Sequence, residues 1–452
     1  MRLDLQDPKF LTALVILAVF IISIFTGQII TGYSYKVVIA LILGSLIIVV
    51  TLVNTDAALI ILIFSMLLSP EIGAGQVPGR EIVIRLDDFL LALIIFTWLA
   101  KTAVNKGLTL FIKTPINKPI VVYILICVIA TLRGTVLGYV DLAKGFFYVA
   151  RYTEYFLLYI LVANHIHSRK QVKFFLNAFF ITCAIVSVYG MLQIPSGARV
   201  TAPFEGEVGE PNTFGGYLLF VFCVAIGISL QKVSRKMRLT LAGLCILIFL
   251  PFLYTLSRAS YLAVVFSYIA LIILSKKKAV LVAVLAAVIL TGAVLKPEAI
   301  FSRVQYTFTQ QQERLARFGT VYLDESASAR IFSWKDSLNA WKKHPVLGRG
   351  VTGFIFIDGQ YIRTLPELGA IGFAVLLWLL WSIFKHSLNI HKKMEDELYK
   401  GLTMGYIAGF VGLVVHALAS NTFIIIRIME PFWFITGIVM MLPALNEDKI
   451  ET

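Results

Sequence analysis

Residues 211–230 read PNTFGGYLLFVFCVAIGISL and contain no charged side chain. A helix of about 20 predominantly apolar residues is long enough to cross the hydrocarbon core of a bilayer. Stretches of the same kind recur along the whole chain, and the sequence predicts about fourteen of them. Their approximate bounds are 10–30, 36–53, 57–69, 88–105, 119–138, 143–163, 172–193, 211–230, 239–255, 259–275, 279–295, 366–385, 401–420 and 429–445.

The composition points in the same direction. Of the 452 residues, 59% are apolar and 15% are charged, and the mean hydropathy is +0.86. Soluble domains have about 45–50% apolar and about 25% charged residues. A cytosolic enzyme, a disordered chain and a small secreted module are therefore excluded. We predict an all-α polytopic membrane protein with about 12–14 transmembrane helices.

Basic side chains predict the orientation of the chain. Five basic segments are each separated from the next by two predicted spans: 101–118, 165–173, 232–238, 276–278 and 385–400. They therefore share one side, and the positive-inside rule makes that side the cytoplasm, together with both termini. The opposite side receives 70–87, 194–210, the turn near Ser257 and the long segment 296–365.

This assignment of segments to the two sides of the membrane divides the chain into three parts. Residues 1–295 form an N-terminal bundle of about eleven spans, 296–365 form a large extracytoplasmic loop, and 366–452 form about three C-terminal spans. The loop carries ten basic and six acidic side chains. Loops longer than about 60 residues cross the membrane largely regardless of their charge. The excess of cations predicts an anionic ligand outside the membrane.

Part of the long loop is predicted to be helical. Apolar side chains recur at helical spacing at Ile331, Trp334, Leu338 and Trp341. Ser328 is predicted to cap the start of this helix, and Pro345 to close its end. The tryptophans suit a helix at the membrane interface, and packing on top of the bundle is an equally good interpretation.

Several ionisable side chains lie within or beside the predicted spans, where charge is costly. We interpret Arg151 and Glu154 as an ion pair on one helix face. Another group gathers at the ends of the last two spans: His416, Asn421, Arg427 and Glu430. A histidine in such a place is more often a hydrogen-bonded bundle residue than a catalyst.

No metal site is expected. Asp87 and Asp88 are interpreted as helix-capping carboxylates, and the acidic group Glu205, Glu207 and Glu210 as a solvated loop. The four cysteines lie in apolar runs without metal-ligand spacing. Arg258 lies at the mouth between two spans, where its forked guanidinium suits phosphate oxygens.

Residues 326–373 read SASARIFSWKDSLNAWKKHPVLGRGVTGFIFIDGQYIRTLPELGAIGF. This segment resembles the signature of the O-antigen ligase and polymerase superfamily. The matching elements are Arg330 with Trp334, Pro345 with Gly348 and Gly350, Asp358 to Tyr361, and Glu367 with Gly369 and Gly372. Upstream, the Pro-Asn element at Pro211–Asn212 and the Ser-Arg element at Ser257–Arg258 are also similar to the family.

The resemblance implies a GT-C-like glycosyltransferase of the bacterial cytoplasmic membrane. Such enzymes move a glycan from undecaprenyl pyrophosphate to an acceptor hydroxyl on the outer side, without cofactor or metal. The expected partners are the lipid-linked glycan, an acceptor glycan or glycolipid, membrane lipid and a chain-length regulator; nucleic acid is not among them. The ligases carry His-Asn before the motif tyrosine, whereas this sequence has Asp358-Gly359-Gln360. Aspartate there resembles the polymerases, so polymerisation of O-antigen, capsule or exopolysaccharide repeat units is favoured, with ligation as the alternative.

The implied roles of individual residues follow. Arg258 and Arg330 would clamp the pyrophosphate, and Asp358 would orient or deprotonate the acceptor hydroxyl. Glu325 and Glu367 are weaker candidates for the role of Asp358. The remaining substrate-binding candidates are Arg303, Arg314, Arg317, Tyr361 and Arg363. A glycolipid transporter or flippase and an envelope scaffold stay open as other classes of function, although no internal repeat typical of transporters is evident.

Overall fold

The computed structural model describes residues 35–77, 80–104, 112–205, 209–284, 317–318, 321–322 and 325–447. We label its longer helices in chain order. They are α1 Tyr35–Val53, α2 Thr55–Leu68, α3 Leu86–Val104, α4 Asn117–Val136, α5 Leu142–His165, α6 Arg169–Gln193, α7 Pro211–Ser229, α8 Arg235–Tyr254, α9 Arg258–Leu274, α10 Glu325–Lys343, α11 Gln360–Lys393, α12 Glu397–His416 and α13 Ile426–Glu447. Short 3₁₀ turns follow α6 at Ile194–Ser196 and precede α13 at Thr422–Ile424.

The predicted all-α polytopic architecture is confirmed. Among the described residues, eight helices are long and apolar enough to cross a membrane. Twelve of the fourteen predicted spans coincide with a described helix. The predicted span 10–30 and most of 279–295 lie outside the described residues.

The centre of the bundle is built from helices that approach closely. The spans α7, α12 and α13 are 78%, 78% and 89% buried. Small residues allow the close contact of α7 with α12, since a Cβ atom on Gly405 would lie 2.4 Å from the Cys223 carbonyl oxygen. A Cβ atom on Gly227 would meet the Gly405 backbone nitrogen at the same distance. Larger residues at these glycines would push α7 and α12 apart.

Two antiparallel strands precede α3, within the segment 70–87 that the sequence analysis assigned to the outer side. β1 Glu71–Val77 pairs with β2 Arg80–Arg85, and Ile72 faces Ile84 across the hairpin. A much smaller pair, β3 Arg317–Phe318 and β4 Val321–Tyr322, precedes α10. The long loop therefore contains ordered structure, as predicted, but not only helix.

One end of the bundle gathers the segments that connect the spans, and we call it the loop face. It comprises the β1–β2 hairpin, residues 194–205 and 209–210, the turn 255–257, α10 with the segment 344–359, and the turn 417–425. Contacts join these segments to one another, for example from the Arg427 guanidinium to Glu71 at 3.2 Å and from Gln360 N to the Ala417 carbonyl oxygen at 3.0 Å. The candidate functional residues lie at this end.

Candidate functional site at the loop face

The site centres on an ion pair between two elements of the long loop. The Arg330 Nη2 atom on α10 lies 3.2 Å from Asp358 Oδ2, just before α11. Both side chains reach solvent, with 23% of Arg330 and 46% of Asp358 exposed. The structure therefore brings together two of the three residues to which the sequence assigned the chemistry.

The backbone around Asp358 is held from two sides. Trp334 on α10 donates its indole N–H to the Asp358 carbonyl oxygen at 2.9 Å. Asn421, beyond α12, donates its amide N–H to the Ile357 carbonyl oxygen at 2.7 Å. Gly359 has φ +108, a conformation that L side chains rarely adopt, so the chain turns sharply into α11 directly after Asp358.

The two upstream motifs also meet at this face. Ser257 Oγ donates to Asn212 Oδ1 at 2.8 Å, which joins the Ser-Arg and Pro-Asn elements. Ser257 also caps α9 by accepting from the Ser260 backbone N–H at 3.2 Å. Arg258 is the first residue of α9 and so begins the helix at the mouth of the bundle, as predicted.

The glycine-rich turn after α10 packs onto the first turns of α11. Backbone N–H groups of Arg349 and Gly350 donate to the carbonyl oxygens of Pro366 and Glu367, both at 2.8 Å. Gly348 and Gly350 have φ values of +63 and +94. A Cβ atom on Gly348 would lie 2.5 Å from the Glu367 carbonyl oxygen. Glycine is needed here because two backbones touch.

The helix α11 consists of two helical parts. Gly369, with φ 67 and ψ −170, interrupts the helical backbone. A Cβ atom there would lie 2.2 Å from the Val346 carbonyl oxygen, so this break is also where the turn after α10 docks. The predicted span 366–385 therefore belongs to a helix that already begins at Gln360 on the loop face.

Arg363 and Glu367 form a buried pair in the first part of α11. Their Nη2 and Oε1 atoms are 3.1 Å apart, and the residues are 2% and 5% exposed. Arg363 also donates to the Tyr152 hydroxyl at 3.3 Å, and Glu367 accepts from the Thr352 N–H at 3.3 Å. Tyr361 donates its hydroxyl to the Val414 carbonyl oxygen. In this structure these three predicted substrate-binding residues bind other parts of the protein.

The remaining predicted residues are less informative. Arg303 and Arg314 lie outside the described residues. Arg317 is in β3, and Glu325 begins α10. The Ser328 cap prediction is wrong, because α10 begins three residues earlier, at Glu325, and Ser328 is buried inside the helix.

The predicted apolar stripe of α10 divides into two. Trp334 and Trp341 hydrogen-bond to the protein, whereas Ile331 and Leu338 are 40% and 36% exposed. The face that packs inward carries small residues instead, since Ser337 and Ala340 are 0% and 7% exposed. The helical spacing of apolar residues predicted this helix correctly. It did not predict the packing face, because that face is made of small residues that do not stand out in an apolar pattern.

His416 was given little weight from the sequence, yet it lies beside the site. Its Nδ1 atom is 2.8 Å from Thr422 Oγ1, while the buried Nε2 atom has no hydrogen-bond partner among the described residues. The Asn212 backbone lies close to the ring, and Arg330 is near enough to act on it electrostatically. A Cβ atom on Gly216 would lie 3.3 Å from the ring. The signal in the sequence was that His416 and Asn421 belong to one group of polar residues at the ends of the last two predicted spans.

A second group of charges fixes the hairpin and the neighbouring loop to α13. Arg427 donates to the carbonyl oxygens of Leu67, Ser69, Pro203 and Phe204, and it contacts Glu71 and Glu205. The interpretation of Glu205 as solvated is wrong, since it is 8% exposed and accepts backbone N–H groups from Ala202 and Glu210. Burial raises the pKa of Glu205 to about 8, against the opposing effect of Arg427.

The capping carboxylates belong to a buried ionic cluster. Asp88 accepts from the Arg85 backbone N–H at 2.8 Å, as a helix-start carboxylate does, and it also pairs with Arg151 at 2.5 Å. Arg151 contacts Glu154 at 3.4 Å, which confirms the predicted pair. Asp87, Asp88 and Glu430 place carboxylate oxygens within 4.8 Å of one another, with Arg85 alongside. This cluster is separate from the Arg330–Asp358 pair.

Comparison with known families gives a match over part of this chain. The family model described as O-antigen ligase matches residues 243–377. The matched segment contains Arg258, Arg330, Asp358 and the glycine turn, so the resemblance to the O-antigen ligase and polymerase superfamily is confirmed. The match supports a glycosyl-transfer type of enzyme that uses lipid-linked glycan and acceptor substrates in general. No match to a curated protein was found.

Proposed function

We propose that this protein is a membrane glycosyltransferase that moves a glycan from an undecaprenyl-pyrophosphate carrier to an acceptor hydroxyl on the outer side of the cytoplasmic membrane. The favoured reaction is the polymerisation of polysaccharide repeat units. The observation that carries the proposal is the solvent-accessible Arg330–Asp358 pair, which lies inside the segment matched by the O-antigen ligase family. This pair supports the proposal because a guanidinium suits phosphate oxygens and the carboxylate beside it can accept a proton.

The ion pair suggests how the donor would prepare the site. A pyrophosphate binds a guanidinium through two hydrogen bonds and competes with Asp358 for Arg330. Asp358, released from its partner, is then free to accept the proton of the acceptor hydroxyl. Arg258, at the start of α9, is the second proposed pyrophosphate ligand.

In the transfer step the bonds and the proton are all accounted for without a cofactor. The acceptor oxygen forms a bond with the anomeric carbon as the bond from that carbon to the pyrophosphate oxygen breaks. The hydroxyl proton passes to the Asp358 carboxylate, and undecaprenyl pyrophosphate leaves as an anion. Arg258 and Arg330 stabilise the charge that develops on the leaving oxygen.

Reconstitution tests the proposed activity. We expect the purified full-length protein in lipid nanodiscs to lengthen a lipid-linked repeat unit. Arg330→Lys retains charge but loses the fork, so we expect the rate to fall at least about 10-fold, and further for Arg330→Ala. Lys335→Ala removes an exposed cation from the same helix and serves as the matched control. Unchanged transfer by both Arg330 variants would contradict the clamp.

A deletion strain separates the candidate functions. Single repeat units on the final acceptor, without long chains, indicate a polymerase. Polymer that accumulates on undecaprenyl pyrophosphate indicates a ligase, the alternative function. Repeat units retained on the cytoplasmic side would indicate the transporter or flippase. A scaffold predicts no requirement for Arg330 in complementation.

A further inference from the structure

We propose that the turn between α12 and α13 positions Asp358, and that Asn421 is the positioning residue. The turn comprises residues 417–425 and lies outside the segment matched by the family model, 243–377. The inference rests on the proposed function, because it names the part of the fold that holds the proposed proton acceptor.

Three contacts attach the Asp358 segment to the turn. Asn421 Nδ2 donates to the Ile357 carbonyl oxygen at 2.7 Å, one residue before Asp358. The Gln360 N–H, two residues after it, lies 3.0 Å and 3.1 Å from the carbonyl oxygens of Ala417 and Ser420. These bonds fix the backbone on both sides of Asp358 while leaving its carboxylate 46% exposed.

The close packing around Gly359 reinforces this attachment. A Cβ atom there would lie 3.1 Å from the Leu418 carbonyl oxygen and 3.2 Å from Trp334 Nε1. The segment is therefore enclosed between the turn and α10. A shift of the turn would move Asp358 relative to Arg330, which belongs to α10 and not to the turn.

The turn itself is attached to the bundle core. The Nδ1 atom of His416, the last residue of α12, lies 2.8 Å from Thr422 Oγ1. This contact joins the end of α12 to the middle of the turn. Tyr155 on α5 donates its hydroxyl to the Ile424 carbonyl oxygen at 3.0 Å. Asn421 and Thr422 are 2% and 0% exposed. Asp358 is thus an exposed carboxylate on a buried and immobilised backbone, the arrangement that a proton acceptor requires.

Asn421→Leu keeps the approximate volume of the side chain and removes the donor to Ile357. Because a displacement of about 1 Å can cost about 100-fold in rate, we expect kcat to fall about 10- to 100-fold. The KM for the lipid-linked donor should stay within about twofold, since the pyrophosphate ligands are untouched. Asn389→Leu, at an exposed asparagine on α11, is the matched control and should leave both constants unchanged.

A double-mutant cycle in nanodiscs identifies positioning. If Asn421 acts through Asp358, adding Asn421→Leu to Asp358→Asn causes little further loss of the residual rate. If the rate loss of the double variant equals the product of the two single-variant losses, the proposal is refuted. A wild-type kcat for Asn421→Leu would also refute it. Gly359→Ala displaces the same segment from within it and replaces Asn421→Leu in the cycle if that variant does not fold. Failure of the wild-type protein to transfer glycan would instead refute the proposed function.

Discussion

At the scale of single residues, exposure distinguishes the ion pair that we propose as functional from the structural ones. Arg330 and Asp358 are both partly exposed, and such pairs contribute little to stability, about 0–1 kcal/mol. Arg363 and Glu367 are buried, and breaking that pair would leave an uncompensated charge inside the protein. We therefore propose that the first pair exchanges partners with a substrate, whereas the second holds the fold.

Asp358→Asn tests this distinction. We expect the apparent melting temperature of the purified protein to stay within a few degrees of wild type, because the pair is exposed. Glycan transfer should fall about 10²- to 10⁴-fold, the usual contribution of a general base. Asp336→Asn, an exposed aspartate on the same helix as Arg330, is the control. A fully active Asp358→Asn would exclude Asp358 as the proton acceptor.

Glu205 predicts a pH dependence of stability. The folded chain keeps this proton up to about pH 8, while the unfolded chain releases it near the ordinary pKa of 4.5. The free energy of unfolding should therefore fall as pH rises from about 5 to 8, by at most about 1.4 kcal/mol per pH unit. Melting curves at several pH values measure this effect.

Glu205→Gln keeps the hydrogen-bond acceptor without a titrating proton, so this part of the slope should disappear. Glu395→Gln, at an exposed position, should leave the slope as it is in the wild type. An unchanged slope in Glu205→Gln would mean that other groups carry the dependence.

At the scale of elements, α10 shows how a helix outside the spans is docked. Its contact face is made of small residues, and Ser337 Oγ donates to the Ile362 carbonyl oxygen at 2.8 Å. The helix therefore approaches α11 closely and carries Arg330 with it. The exposed Ile331 and Leu338 give the opposite side an apolar character. A position at the membrane interface stays a prediction.

Ser337→Leu should separate α10 from α11. Overpacking costs about 1–3 kcal/mol, and the Ile362 carbonyl oxygen also loses its donor. We expect faster proteolysis within the segment 325–343 and reduced transfer, while the spans remain folded by circular dichroism. Asn339→Leu adds similar bulk at an exposed position of α10 and should do neither. Equal behaviour of the two variants would refute the docking role.

At the scale of the whole molecule, the loop face defines one side of the membrane. Site residues and the long loop gather there, and the basic segments 165–173, 232–238 and 385–400 lie at the opposite ends of the spans. The positive-inside rule predicts that this opposite end is cytoplasmic. Under the proposed function, the donor glycan would then reach the site from the outer side.

Cysteine labelling tests this orientation. We expect a membrane-impermeant maleimide to label Lys335→Cys in intact spheroplasts and Lys277→Cys only after permeabilisation. Both lysines are exposed, and the native Cys127, Cys183 and Cys223 are buried. Cys245 is only partly buried, so the parent chain carries Cys245→Ser. The reverse pattern of labelling would invert the topology and would contradict an extracytoplasmic site.

The sequence by itself determined the class of the fold and the motifs of the site. Charge-free apolar stretches of span length have one stable solution in a bilayer, so helices followed directly from composition. The resemblance of short motifs to a known family pointed to Arg258, Arg330 and Asp358, on segments that the structure brings to one face. Each of these signals is local, which is why a single sequence contains it.

Only the tertiary structure decided which side chains meet. The bond from Asn421 to Ile357 joins residues 64 positions apart, and the contact of Arg427 with Glu71 joins residues 356 apart. No periodicity records such pairings, because they depend on how helices cross and not on the order of residues along any one of them. The burial of Glu205, the docking face of α10 and the attachment of Asp358 to the α12–α13 turn all arise from packing between distant segments.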